Sequence, residues 1–107
     1  MKPTLFVDVA KQVDVPDDST ISKTIYQDDR LKVVLFGFAP GQELSEHTAA
    51  VPAIVHFLEG EARVTLSDEV IEAQPNSWIH MPARMPHSVL AETQVKMLLL
   101  LQKEATG

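Results

Sequence analysis

The chain has 107 residues, 9 Lys and Arg against 15 Asp and Glu, a formal charge of −6, and no cysteine. That length supports one domain with a real core and leaves no room for two. Without cysteine, disulfides, thiolate metal ligands and thiol nucleophiles are excluded. The acidic balance, with no basic stripe, argues against a nucleic-acid partner. No apolar run reaches the length of a membrane span, and the first residues, MKPTLFVDVAKQV, lack a secretory apolar core, so a cytoplasmic protein without membrane contact is expected.

Taken in order, residues 4–7 (TLFV) read as a short strand, and DVAKQV as one helical turn with Asp8 as its cap. VDVPDDS (13–19) is loop, because Pro16 blocks a helix and the aspartates favour local turns. Strands then follow one another. ISKTIYQ (21–27) turns at Asp28-Asp29 into LKVVLFGFA (31–39), which Pro40-Gly41 ends. AIVHFLEG (53–60) turns at Gly60-Glu61 into ARVTLS (62–67), and Asp68-Glu69 lead into VIEA (70–73). WIHM (78–81) runs to a loop bracketed by Pro82 and Pro86, and HSVLA (87–91) and QVKMLLLLQ (94–102) complete the set. Short strands at this spacing predict an all-β sandwich or barrel. VVLFGF, AIVHF and MLLLL are apolar on both faces, so their outer face is also expected to pack, against a second subunit in a homodimer.

Two stretches carry the chemistry: GQELSEHTAAVPAIVHFLEG (41–60) and NSWIHMPARMPH (76–87). In the first, Gly41, His47 and Gly60 keep a spacing of glycine, five residues, histidine and a later glycine; in the second, Pro82 and His87 stand five apart. These stretches resemble the two signature motifs of the cupin superfamily, motif 1 at 41–60 and motif 2 at 76–91. The resemblance implies a double-stranded β-helix, or jelly-roll, antiparallel barrel formed by residues 1–107 as a single domain. The departures matter as much. Ala49 and Ala53 stand where the family motif has its second His and its Glu; Asn76 and Arg84 replace glycines, and Ala91 replaces the final Asn.

The resemblance implies that His47, Ala49, Ala53 and His87 point into the barrel, so two of four usual metal donors are gone. Two imidazoles alone bind a divalent ion (zinc, iron, nickel or manganese) weakly, since catalytic sites generally use three protein ligands. His80 or Glu43 is the candidate third ligand. His56, three residues beyond Ala53 on one strand, is expected on the opposite face.

The expected function is binding of a small organic ligand at His47 and His87, within walls supplied by Phe38, Phe57 and Trp78, with Arg84 as an anion clamp over the mouth. The alternative is a cupin enzyme, a dioxygenase or isomerase, using a metal or the two histidines as acid and base. A third reading is an interaction protein whose cavity is closed by Phe and Met side chains.

Overall fold

The computed structural model describes residues 1–103. Nine strands follow a single 3-10 turn at Val9–Gln12: β1 (Thr20–Gln27), β2 (Leu31–Phe38), β3 (Glu43–His47), β4 (Ala53–Glu59), β5 (Ala62–Leu66), β6 (Glu69–Ala73), β7 (Trp78–Met81), β8 (His87–Ala91) and β9 (Val95–Gln102). They form two antiparallel sheets, one ordered β1-β2-β9-β4-β7 and the other β3-β8-β5-β6. Chain neighbours β3 and β4 thus lie in different sheets, as do β7 and β8, which is the crossing pattern of a jelly roll.

Strict two-residue alternation decides what each strand sends inward. On β4 the buried positions are Ala53, Val55 and Phe57; on β8 they are His87, Val89 and Ala91. Val95 and Met97 of β9, Phe38 of β2 and Met81 of β7 meet them between the sheets. Phe36 and Phe38 share the inner face of β2, with rings stacked at 5.8 Å. Phe38 and Phe57 have no accessible surface, and Met81 and Met97 have almost none, so the base of the barrel is solid.

The turns keep the backbone geometry that the motifs require. Gly41 and Gly60 have φ of 84° and 85°, and a side chain on Gly60 would run into the Gln94 carbonyl oxygen. Asn76 and Arg84 have φ of 76° and 68°. The backbone is left-handed at both positions although the glycine is gone.

The N-terminal segment departs from expectation. Residues 4–7 form no strand, and the helical turn forms without a side-chain cap from Asp8. The segment crosses the outer face of the five-stranded sheet. Val13 and Val15 lie over Gly37, and Lys96 Nζ donates to the Ala10 carbonyl at 2.7 Å. Thr4, Phe6 and Val9 face Ile25, Leu31, Val33 and Leu98 across a cavity of about 450 Å³. Part of the double-sided apolar character of β2 and β9 is therefore satisfied within the chain.

Candidate functional site

The site is built at the mouth of the barrel where β3 and β8 pair. His47 and His87 are directly opposed in the antiparallel register, and their ring centroids are 4.1 Å apart at an interplanar angle of 59°. His87 continues the inward row of Val89 and Ala91, so simple alternation aims it into the barrel. His47 arrives there differently. The β3–β8 register shifts between Leu44 and His47, leaving Ser45 and Glu46 exposed while Leu44 and His47 are both partly buried. A bulge turns residues three apart toward the same side.

Both rings are locked in the same way. His47 Nδ1–H donates to the Ser45 carbonyl at 2.8 Å, and His87 Nδ1–H donates to the Met85 carbonyl at 2.9 Å. A carbonyl oxygen only accepts, so each neutral ring carries its proton on Nδ1 and keeps a lone pair on Nε2. His87 is 5% exposed, yet no buried side-chain nitrogen or oxygen among the described residues lacks a partner. Its Nε2 makes no hydrogen bond, so that atom is the part of the ring that opens to the mouth.

Burial holds the His87 pKa below the ordinary histidine value. The Met85 carbonyl pulls the other way by stabilising the imidazolium, and repulsion from His47 adds to the lowering. Leu66 of β5 flanks His87 on the side away from His47, which keeps water from that side of the ring. This lowering favours the neutral form of His87, whose Nε2 is then an acceptor.

The other residues singled out from sequence divide clearly. Phe38 and Phe57 lie inside the barrel as its filled base, with no surface left for a ligand. Trp78 is not a wall of the cavity. It is 59% exposed, because Ile79 and Met81 take the inward positions of β7 and leave Trp78 and His80 on the outer face. Trp78 pairs there with His56, whose outward placement matches expectation. Glu43 is exposed opposite Leu90, on the far side of the bulge from His47. Neither proposed third ligand joins the pair, and among the described residues no group of three His, Asp or Glu side chains is arranged to hold a metal. Ala53 is buried between Met81 and Leu101, and Ala49 lies beyond the end of β3. Two imidazole donors do not fit a tightly held catalytic metal.

Arg84 is exposed in the loop between β7 and β8, and its N–H donates to the Ala49 carbonyl at 2.7 Å. This bond ties the loop to the segment just beyond His47, while the next residue, Met85, orients His87. The feature that sequence reasoning missed is this paired lock on the two rings.

A family profile described as the cupin domain matches residues 34–101, more than half of the chain. The chain belongs to the cupin family. This cupin is similar to a solved cupin superfamily protein from Desulfitobacterium hafniense DCB-2, at 25% identity over 97% of this chain and 95% of the other, with a TM-score of 0.87. It is also similar to a conserved protein of unknown function from Streptococcus pyogenes, at 29% identity over 97% and 91%, with a TM-score of 0.85. The salicylate 1,2-dioxygenase of Pseudoaminobacter salicylatoxidans, solved with gentisate, shares the fold at 16% identity over 81% of this cupin and 27% of that chain, with a TM-score of 0.73. No curated protein sequence matches. Among the described residues no helix is long and apolar enough to cross a membrane.

Proposed function

We propose that this cupin binds a small organic molecule at the barrel mouth, anchored by Nε2 of His47 and Nε2 of His87. The observation that carries the reading is the double lock, in which both Nδ1–H groups are committed to backbone carbonyls and both lone pairs are left for a ligand. Nε2 of the more buried ring, His87, is the atom left open at the mouth. The filled base confines the ligand to the mouth and favours a molecule of few heavy atoms. A divalent cation would be held at the same two nitrogens, weakly and in exchange with solvent.

A second reading is an isomerase-type activity without a metal. It is favoured by the neutral state of the buried His87, whose Nε2 can accept a proton from one carbon of a substrate and return that same proton to another. Either way the working unit is a cytoplasmic homodimer in this proposal. Ile54 and Leu100 line the outer face of the large sheet near the exposed Trp78, and a second copy would cover them.

The test is a screen of small organic acids, sugars and alcohols, following the imidazole nitrogen resonances of His47 and His87. Ligands that move both Nε2 signals and lose affinity on His47→Ala support the reading. A set of ligands that stabilises the protein without moving either signal overturns it.

A further inference from the structure

We infer that the ligand is a hydroxycarboxylate, a small molecule with an anionic carboxylate at one end and a hydroxyl at the other. The inference rests on the binding reading above and adds the ligand's chemistry.

The hydroxyl end follows from the histidines. With Nδ1–H engaged on a carbonyl, the neutral form of each ring offers Nε2 purely as an acceptor, and the group that form receives between His47 and His87 brings hydrogen-bond donors. A carboxylate placed between two neutral rings would meet lone pairs and no donor. Hydroxyl groups satisfy the pair.

The carboxylate end follows from Arg84. It has a left-handed φ of 68°, a conformation that a glycine adopts freely and an arginine adopts only at a cost. Its side chain makes no hydrogen bond or ion pair among the described residues, unlike Arg63, which is shared by Glu72 and Glu92, and Lys11, which meets Asp8. Folding therefore gains nothing visible from an arginine at this position. Arg84 is also the one Lys or Arg in residues 64–95, and none occurs in 33–62, so it is the one cation carried by β3, the β3–β4 loop and the β7–β8 loop. Its backbone is fastened to both sides of the histidine pair, through Ala49 beyond His47 and through Met85 before His87. A guanidinium is a fork of donors with no acceptor, matched to a carboxylate. Donors at the rim and acceptors at the pair require a ligand of the reverse polarity at each end.

The experiment titrates the full-length protein with 4-hydroxybenzoate, benzoate and 4-hydroxybenzamide, and with gluconate and sorbitol, reading Kd and the His47 and His87 ring resonances. At least one hydroxy acid, 4-hydroxybenzoate or gluconate, is expected to bind about tenfold tighter than its partner lacking the charge, the loss typical of one hydrogen bond to a charged group. Arg84→Gln, which keeps the backbone geometry, should erase that preference, and Arg84→Lys should restore part of it. His47→Ala should instead erase the preference for 4-hydroxybenzoate over benzoate. If the amide and sorbitol bind as tightly as the acids and still move both rings, the carboxylate assignment is wrong and the histidine site stands. If none of the five moves either ring at tens of millimolar, the histidine site and the hydroxycarboxylate fall together.

Discussion

Arg84→Gly separates what this residue does for folding from what it does at the mouth. An L-residue in the left-handed region costs about 1–2 kcal/mol, which glycine avoids. Against that gain, glycine's extra freedom in the unfolded chain costs about 0.4–1 kcal/mol. The N–H bond to the Ala49 carbonyl at 2.7 Å is retained, and no side-chain hydrogen bond or ion pair among the described residues is lost. The balance is a stabilisation of about 0.5–1 kcal/mol, or roughly 2–8 °C in Tm for a domain near 100 residues. Urea unfolding followed by circular dichroism, with calorimetry for Tm, measures it, and Arg84→Ala is the control that keeps the left-handed cost. A Gly variant less stable than wild type by 1 kcal/mol or more would show that the arginine side chain holds the loop, and the case for it as a ligand clamp would lose its premise.

Gly60→Ala should be among the most damaging single changes, because its Cβ would run into the Gln94 carbonyl oxygen at a φ of 85°. A loss of roughly 3 kcal/mol or more, or no soluble protein, is expected; a near-neutral result in urea unfolding would contradict the β4–β5 turn geometry. The lowered His87 pKa means that the folded state binds a proton less readily than the unfolded chain. Its contribution to stability is complete above the unfolded value of about 6.5 and is lost as pH falls below it toward the folded value. Stability measured from pH 8 to pH 5 should therefore decline in that window, and His87→Gln should flatten the decline. Restoring the two absent donors with Ala49→His and Ala53→Glu should cost stability without metal, since Ala53 is 1% exposed against Met81 and Leu101. Saturating zinc should then return about 2.7 kcal/mol at a hundredfold excess over Kd; no zinc-dependent stabilisation would mean that positions 49 and 53 do not converge on the histidines.

Most of the barrel was readable because inward and outward residues alternate and turn residues punctuate. ARVTLS and VIEA, for example, needed only period two and an Asp between them, and the strands fall there within a residue. TLFV failed because three apolar residues in a row say that a segment packs, not whether it pairs; here it crosses a sheet face instead of joining an edge. β3 was hard to see because ELSEH carries four polar residues and a bulge that breaks its period, so parity alone could not exclude Glu43. Trp78 and His80 show the other limit. Alternation groups them on one face of β7, but which face is inner depends on how the strand sits against β4, a tertiary fact. The pairing of His47 with His87 could be read from motif spacing. The shared Nδ1 lock could not, since it depends on local carbonyl directions set by the bulge and by the Pro82–Pro86 loop.

The most direct test of the account is the protonation pattern of the two imidazoles, read from long-range proton–nitrogen correlation spectra above pH 7 and then with a hydroxy acid added. Both rings should be protonated on Nδ1, with both Nε2 resonances free and then shifted together by the ligand. A proton on Nε2 of either ring, or Nε2 signals that ignore every ligand that binds, would contradict the claim that this pair is the protein's binding site.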